Sequence, residues 1–449
     1  MGLFAAKQRH GPRPSRWRGA VSFVLFVPWL CYGQSVSTNL PFPKLTLEQA
    51  RQTAFAHSWD LLSAKSGIDA ATAQGIVAKE FPNPTASLSV SQIGTHDAAT
   101  TEGNGLWHRS YDTVAAVTQL IEIAGKRSDR QAAARAGVMG AKARFYDAKR
   151  TLDQGVTKAY IAALLADDNA GVLRESARFM NREADIGKVR LKAGDVSESD
   201  FKQIQISAEQ FDLQVKAAET AAVQARVQVE VLMGVRQPKG DWAPADSLEQ
   251  LGAVSSPPAA PAPDAERPDV LAAQADLRGG QFNLKLQKAL RIPDPTFSIE
   301  YEHLPQPPGP PADDTFGIGV SFPLPLWNLN RGNIEAARAA VAQFEMALGK
   351  ARTQAAADAV NSQAEYQEAS ERWHRYKTQI VPQSASTRAA VSFAFEKGAA
   401  TLVDLLEAER TDNTVRMAAA QAMSDAASAA ADVAAAQTVV TELELNSRK

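Results

Sequence analysis

The stretch TFSIEYEHLPQPPGPPADDTFGIGVSF (residues 296–322) contains two segments in which apolar and polar residues alternate, separated by a proline-rich loop. Strict alternation is typical of β-strands, because successive side chains point to opposite faces of a sheet. The segments 296–302 and 315–322 are therefore predicted to pair as a hairpin with one apolar, aromatic face. That face comprises Phe297, Ile299, Tyr301, Phe316, Ile318, Val320 and Phe322, and the opposite face comprises Ser298, Glu300, Glu302, Gly317, Gly319 and Ser321.

The first half of the chain carries a weaker copy of this hairpin. FPNPTASLSVSQ (81–92) aligns with IPDPTFSIEYEH (292–303), with both prolines and the following threonine in register. The strands of the copy are predicted at 85–92 and 113–120, and the second of these shows no clear apolar face. The chain therefore contains the same pattern twice, at a spacing far longer than the repeat of a solenoid.

Each copy continues into a long helix that ends at a glycine-containing tip. KAGDVSESDF (192–201) aligns with EKGAATLVDLL (396–406), so the tips match as well as the hairpins. The helix stops at glycine and restarts at Ser197 or Thr401, with an aspartate three positions later, as at a helix N-cap. The predicted tip residues are Gly194, Asp195, Val196, Ser197 and Asp200, and Gly398, Ala399, Ala400, Thr401 and Asp404.

The duplication divides the mature chain into two repeats joined by a loop or linker. Each repeat is predicted as a helix, a hairpin, a long helix, a tip and a returning helix. A capping box on Thr46 starts the first helix, which is predicted to run toward Glu80, and Pro382 predicts a kink in the second long helix. The predicted bounds are 34–236 for the first repeat, with its long helix at about 128–192 from a capping box on Ser128 and its tip at 193–200; 237–269 for the Pro/Ala-rich linker; and 270–445 for the second repeat, with its long helix at about 332–397 and its tip at 398–404.

The N-terminus has the pattern of a signal peptide over residues 1–33. Five basic residues precede an apolar stretch at 19–32, which is too short to span a bilayer as a helix, and cleavage is expected after Gly33. Its removal takes five of the 48 basic residues and none of the 50 acidic ones, so the mature chain is acidic and unsuited to nucleic acid. The single cysteine, Cys31, lies within the signal, and bulky Trp29 and Leu30 before it argue against lipidation.

The hairpins limit what the exported protein can be. A two-stranded hairpin is marginal in water, and one with an aromatic face is not expected to stay exposed. Strands of this length, apolar outward and polar inward, suit an outer-membrane barrel. Four strands cannot close a barrel, and open edges in lipid leave backbone groups unpaired, so several chains must share one pore. The alternative is a hairpin packed on the helices of its own chain.

With these features in place, the chain resembles a TolC-like outer-membrane efflux channel over about 45–445. The resemblance rests on LTLEQA (45–50), FPNPT (81–85), PDPTF (293–297), VSFPLPLWNLNRGNIEAARA (320–339) and the two tips. It implies a mainly α fold with a small β part: a homotrimer in which four strands per chain complete a 12-stranded barrel above a coiled-coil helical tunnel. It also implies an outer-membrane location reaching into the periplasm, with a periplasmic adaptor and an inner-membrane pump as partners.

The resemblance also suggests a cargo and a gate. GKR (125–127) and PLPLWNLNRGNI (323–334) are most similar to the branch that serves heavy-metal-cation pumps, with a drug or organic-solvent pump as the alternative. The tips are expected to close the periplasmic end and meet the adaptor. Asp200 and Asp404 are interpreted either as capping acids or as an acidic ring that favours cations. The bases Arg190, Lys192, Lys397 and Arg410 are near enough in sequence to pair with tip acids and hold the duct shut, and which of these pairs form is left open.

No catalytic, cofactor or metal constellation is predicted. The histidines of the mature chain are scattered, and His96, His108 and His303 are interpreted as solvated residues in or beside the outer loops. No phosphate-binding loop or nucleophile–base arrangement is present in the sequence, which argues against an enzyme. A periplasmic coiled-coil scaffold without a pore remains an alternative, disfavoured by the repeated alternating strands.

Overall fold

A computed structural model describes residues 43–91, 112–253, 266–304 and 313–441 of the chain. All of them belong to one compact unit, Leu40–Lys449. The predictions for the signal peptide at 1–33, for Cys31 and for His96 and His108 lie outside these residues. Among the helices that the structure describes, none combines the length and apolarity required to cross a membrane.

The fold is mainly helical with a small sheet, which confirms the predicted fold class. Two helices longer than forty residues dominate it, and each is followed by a returning helix. The elements are β1 Lys44–Leu45, α1 Leu47–His57, α2 Trp59–Val77, β2 Thr85–Ser91, β3 Asp112–Leu120, α3 Lys126–Ala193, α4 Glu198–Leu232, β4 Ala243–Pro244, α5 Leu248–Ala253, α6 Pro268–Ala289, β5 Thr296–Leu304, β6 Asp313–Ser321, α7 Arg331–Arg375, a π-helical turn Tyr376–Ile380, α8 Val381–Glu396 and α9 Leu402–Ala436.

The two hairpins form one antiparallel sheet with the strand order β2-β3-β5-β6. Val117 of β3 lies opposite Ile299 of β5, and Ile299 lies opposite Ile318 of β6. Residues that are directly opposite share a face, so this register aligns the apolar rows of all four strands. It also assigns the faces of β3, which the sequence left open. The outer strands β2 and β6 each have one edge without a strand partner among the described residues.

The first long helix, α3, begins two residues before the start predicted from a capping box on Ser128. Gly125 is the N-cap and has a left-handed backbone (φ +76°). The Ser128 hydroxyl donates to the Gly125 carbonyl oxygen at 2.7 Å, so it caps no backbone N–H. The capping-box interpretation was wrong here because glycine reaches the left-handed region without steric cost and turns the chain itself.

The single first helix predicted to run from Thr46 toward Glu80 is instead two helices. The capping box on Thr46 is present, but α1 ends at His57 and α2 ends at Val77. Ser58 separates them with an extended ψ of 129°. The turn after α4 packs at this break: a Cβ on Gly234 would lie 2.2 Å from the His57 carbonyl oxygen. A tertiary contact of this kind is invisible to helix periodicity.

The segment 237–269, predicted as a loop or linker, is largely built into the fold where it is described. β4 pairs in parallel with β1, α5 follows, and α6 already begins at Pro268. Trp242 is buried and stacks on Tyr160 of α3, with ring centroids 5.9 Å apart. The Tyr160 hydroxyl donates to the Leu45 carbonyl oxygen at 2.7 Å, and burial raises the pKa of this tyrosine. Residues 254–265 lie outside the described part.

The helices pack through small side chains, and the second long helix is interrupted where Pro382 predicted a kink. A Cβ on Gly280 of α6 would lie 2.7 Å from the ring of Phe344 on α7, so glycine permits this close helix approach. The i→i+5 turn Tyr376–Ile380 directly precedes α8, in which Pro382 occupies the first turn. A proline cannot donate an i→i−4 hydrogen bond, and a π-type turn absorbs the mismatch while the helix continues.

Candidate functional site

The apolar face of the sheet is open to its surroundings in the single chain. Phe316 and Ile318 of β6 are 81% and 91% exposed, and Phe297, Ile299 and Val320 are also exposed. Tyr301 is half-buried, and the centroid of its ring lies 5.2 Å from the centroid of the Phe316 ring. Phe322, predicted as the last strand residue, lies just beyond β6 and is exposed as well. No helix of the described residues covers this face, which argues against the alternative of a hairpin packed on the helices of its own chain.

The opposite face is polar and shaped by glycine. A Cβ on Gly317 would lie 2.6 Å from the Glu300 carboxylate oxygen, and one on Gly319 would lie 2.5 Å from the Ser298 hydroxyl. The side chains of Glu300 and Ser298 therefore lie across the neighbouring strand, in space that only glycine leaves free. The Thr315 hydroxyl donates to Glu302 at 3.4 Å. The face carries the carboxylates of Glu300, Glu302 and Asp112, the first residue of β3, among small and hydroxyl side chains.

The prediction of a solvated loop position for His303 was wrong. His303 lies within β5, is buried, and has its Nδ1 2.7 Å from the Asp314 carboxylate of β6. The strands extend further toward the loop than the alternation suggested, so a residue beyond the predicted strand end is paired. Within the described residues no group of three or more His, Cys, Asp or Glu could hold a metal ion.

A buried lysine joins the two hairpins to the helices below them. Lys126, the first residue of α3, is 3% exposed and lies 2.7 Å from the Asp294 carboxylate. Its ammonium also donates to the Ile292 carbonyl oxygen at 2.5 Å. Because Asp294 precedes β5, this contact ties the first repeat to the second. The lysine of the GKR motif therefore has a structural role at this junction.

Both tips have the backbone conformation that the sequence indicated. Gly194 and Gly398 are left-handed, with φ +82° and +74°. Thr401 and Asp404 form a complete capping box, in which the Asp404 carboxylate accepts from the Thr401 N–H at 2.9 Å. The Thr401 hydroxyl and this N–H lower the pKa of Asp404, so its carboxylate is charged at neutral pH. At the first tip the Ser197 hydroxyl accepts from the Asp200 N–H at 3.1 Å.

Among the described residues, the bases near the tips form no ion pair with a predicted tip acid. Arg190 lies over the ring of Phe395, 5.9 Å from its centroid, and Lys397 lies 5.5 Å over Phe393. The salt bridges of the described residues include none that joins a predicted tip acid to Arg190, Lys192, Lys397 or Arg410. Phe395 and Phe393 of α8 contact Arg190 and Lys397 instead, at the modest energies typical of exposed cation–π contacts.

A buried charged cluster above the second tip was missed by the sequence analysis. Glu409 and Asp412 of α9 are each 2% exposed. Arg388 of α8 lies between them, with its guanidinium 3.5 Å from Glu409 and 3.3 Å from Asp412. The Ser384 hydroxyl donates to Asp412 at 2.9 Å. Burial raises the pKa of Glu409, and Arg388 opposes that shift. Glu409 and Asp412 lie on the same face of α9 as Leu405. The helical periodicity of the sequence could therefore have indicated that both carboxylates are buried.

Two polar contacts beside this cluster hold α9 to α3. Arg416 lies 2.7 Å from the Glu175 carboxylate, and the Ser176 hydroxyl donates to Asn413 at 2.6 Å. The Arg416 guanidinium lowers the pKa of Glu175. α9 is therefore bound by charged or polar groups to α8 on one side and to α3 on the other, in the part of the chain that leads to the tips.

Comparisons with known proteins agree with this architecture. A family model described as outer membrane efflux protein matches residues 50–235 and 264–437. The chain is 24% identical over 376 residues to the cobalt-zinc-cadmium resistance protein CzcC of Cupriavidus metallidurans, covering 82% of this chain and 84% of that protein. It is 24% identical over 315 residues to the nickel and cobalt resistance protein CnrC of the same organism, covering 70% and 71%. The solved outer membrane protein VceC of Vibrio cholerae has the same fold, with a TM-score of 0.67, 16% identity and coverage of 87% of this chain and 95% of that one.

Proposed function

The chain belongs to the outer membrane efflux protein family, and we propose that three copies form the outer channel of a tripartite exporter of heavy-metal cations. The protein resides in the outer membrane and extends into the periplasm. In this function it conducts passively, and an inner-membrane pump, reached through a periplasmic adaptor, supplies the energy. The observation that carries the proposal is the four-stranded sheet with an exposed apolar face and two open edges.

The open edges define how the copies would join. Unpaired backbone groups are not tolerated in hydrocarbon, so β6 of one chain must pair with β2 of the next until the barrel closes. Three copies would supply twelve strands, the number that the family resemblance implies. The apolar row around Ile318 would then face lipid, and the row around Glu300 would face a water-filled lumen.

The helices below the sheet also leave apolar surface for neighbouring copies. Trp59 and Ile76 on α2, and Met346 and Val360 on α7, are more than half exposed. α3 and α6 lie between these two helices in the chain's own packing, so α2 and α7 are at opposite sides of the helical layer. Pairing of α2 from one copy with α7 from the next would bury these side chains and continue the wall of the duct.

The tips are the proposed site of the gate and of adaptor docking. Gly194, Gly398, Ala399 and Ala400 leave little side-chain bulk at the helix turns. Small residues would allow helical tips of an adaptor to interdigitate with them. A charged Asp404 on each of three copies would place a ring of carboxylates at the entrance, which favours cations.

Heavy-metal cations are favoured as cargo by two independent features. CzcC and CnrC are named for resistance to cobalt, zinc, cadmium and nickel. The polar face of the sheet carries Glu300 and Glu302 and, in the described strands, no lysine or arginine. Carboxylates without competing bases attract divalent cations.

Metal and drug susceptibility of a strain lacking the gene tests this proposal. We expect the deletion strain to become sensitive to cobalt, zinc, cadmium or nickel, and the restored gene to reverse that sensitivity. Sensitivity to dyes, detergents or antibiotics with unchanged metal tolerance would instead assign the channel to drug efflux. A Gly317→Leu variant is designed to displace Glu300 from the sheet. If this variant restores metal resistance to the deletion strain, resistance does not require the proposed lumen.

Removing both tip acids is expected to change conduction. The double substitution Asp200→Ala and Asp404→Ala should alter single-channel conductance and lower the cation preference in planar bilayers, because the ring loses its negative charge. Asp404 also completes a helix cap, so Thr401→Ala is the matched control: it removes the cap hydroxyl and keeps the carboxylate. Equal effects of both variants would show that the acids act only as helix caps.

A further inference from the structure

A cleft of about 560 Å³ lies beside the π-helical turn that interrupts the second long helix. Trp373 from the last turn of α7, Lys377 from the π-helical turn and Val381 from the start of α8 line it, together with residues of α3, α5 and α9. Small-molecule sites typically have volumes of about 300–1,000 Å³. Single π-helical turns within α-helices are frequent at functional sites. Both features make the cleft a candidate binding site.

Much of the cleft wall is apolar. Ala419 and Ala420 of α9 are buried, and Met423 of the same helix is half-buried. Val172 of α3 and Trp373 of α7 are half-buried as well. An indole ring and a thioether beside short aliphatic side chains suit the apolar body of a ligand better than a hydrated ion.

All but one of the charged side chains that line the cleft have a partner of opposite charge. Three ion pairs neutralise them: Lys377–Glu249 at 2.7 Å, Arg416–Glu175 at 2.7 Å and Arg226–Asp167 at 2.8 Å. The remaining group is the carboxylate of Asp168 on α3. The cleft therefore has one negative charge that the protein does not balance.

The surroundings of Asp168 indicate that its counter-charge is missing. The side chain is exposed at the cleft, and within the described part of the chain it forms neither a hydrogen bond nor an ion pair. Partial burial and the neighbouring Asp167 carboxylate raise the pKa of Asp168, the direction expected of a carboxylate without a nearby cation. A cation bound in the cleft would supply the missing charge.

The indole of Trp373 is the second group that favours a cation. The Lys377 ammonium lies 5.9 Å from the centroid of its ring, near the limit of about 6 Å for a cation–π contact. Lys377 is also paired with Glu249, and both of these side chains are more than half exposed, so the pair is weak. Lys377 can therefore move aside for a ligand that approaches the ring more closely.

We infer that this cleft binds a small organic cation with an apolar body, of the quaternary ammonium or protonated amine class. The apolar body contacts Trp373 and Met423, and the cationic nitrogen lies near the Asp168 carboxylate. A divalent metal ion is disfavoured, because the described lining residues include no histidine or cysteine and only one unpaired carboxylate. The inference is independent of the proposed channel, since one chain builds the whole cleft from its helices.

Isothermal titration calorimetry of the purified full-length protein in a nonionic detergent tests the site, with benzyltrimethylammonium as the probe. We expect saturable binding of one probe molecule per chain. Asp168→Asn should weaken the affinity about fivefold, the factor expected for unit charges about 4 Å apart in water. Benzyl alcohol, which has the aromatic ring without the charge, should not distinguish the two proteins.

Asp185→Asn is the matched control, because Asp185 is also an exposed carboxylate of α3 but does not line the cleft. It should leave the affinity for benzyltrimethylammonium unchanged. Absence of saturable binding, or equal affinity of Asp168→Asn and the unsubstituted protein, would overturn the inference. An equal loss of affinity in Asp185→Asn would overturn it as well, because the probe would then respond to the acidic surface in general.

Discussion

Replacing Arg388 with methionine is expected to destabilise the helical part of the protein by about 3 kcal/mol or more. Glu409 and Asp412 are almost fully buried, and Arg388 is the base that lies between them. Methionine keeps much of the side-chain volume but leaves two buried carboxylates without their counter-charge. The free energy of unfolding, measured by urea denaturation in detergent with circular dichroism, should report the loss.

A surface ion pair on the same helical hairpin provides the control for this prediction. Arg372 of α7 lies 2.8 Å from Asp425 of α9, with both side chains more than a third exposed. Arg372→Met should cost less than about 1 kcal/mol, because exposed pairs contribute little. The triple variant Arg388→Met, Glu409→Gln and Asp412→Asn should recover most of the loss, since it removes the uncompensated charge. Equal losses for Arg388→Met and Arg372→Met would contradict the assigned role of the cluster.

The deficit in unfolding free energy that Arg388→Met causes should also depend on pH. Burial raises the pKa of Glu409 in the folded state. Ionisation of this carboxyl group therefore lowers the free energy of unfolding as the pH rises through its pKa. Loss of Arg388 removes the group that lowers this pKa and raises it further. The deficit should therefore shrink as the pH falls through the raised pKa of Glu409, because protonation removes the uncompensated charge. A deficit that does not change with pH would show that lost packing, rather than charge, causes it.

Neutralising Glu300 and Glu302 is expected to reduce the cation preference of the channel about fivefold. Two unit charges about 4 Å apart in water interact by about 1 kcal/mol, which corresponds to a factor of about five in local ion concentration. The double substitution Glu300→Gln and Glu302→Gln keeps the side-chain shape over Gly317, so the sheet is expected to form normally. The reversal potential in a salt gradient across a planar bilayer measures the effect.

Glu48→Gln is the corresponding control, because the Glu48 carboxylate is exposed on α1, away from the sheet. It should leave the reversal potential unchanged. If the double variant has the same reversal potential as the unsubstituted channel, the polar face of the sheet does not line the ion path. The tip acids would then be the remaining candidates for cation selection.

The strands and tips could be predicted because local chemistry determines them. Alternation between Phe297 and Tyr301 needs only the period of a strand, and the conformation of Gly398 needs only its missing Cβ. The family and the outer-membrane location could also be recognised, since they follow from segments that keep their order along most of the chain. These conclusions did not depend on knowing which helices touch.

The features that could not be predicted all depend on distant contacts. The break at Ser58 accompanies the approach of Gly234, and the order in 237–253 depends on Trp242 stacking on Tyr160. The charged cluster requires α8 and α9 to bring Arg388 between Glu409 and Asp412. Tertiary packing overrides local propensity at such places.

The tip bases illustrate a different limit. Sequence proximity suggested that Arg190 and Lys397 pair with tip acids, but each lies over a phenylalanine ring instead. Side chains of this length reach several partners, and an exposed ion pair has little energy with which to exclude the others. Proximity along the sequence is therefore a weak predictor of which exposed charges meet.

Single-channel recording of the purified full-length protein in planar bilayers tests the central claim most directly. The account predicts stable, discrete conductance steps from a trimer, with a reversal potential that favours cations and that moves toward zero in Glu300→Gln, Glu302→Gln. Conductance steps with a reversal potential that favours anions would contradict the account, because a lumen lined by carboxylates without competing bases attracts cations.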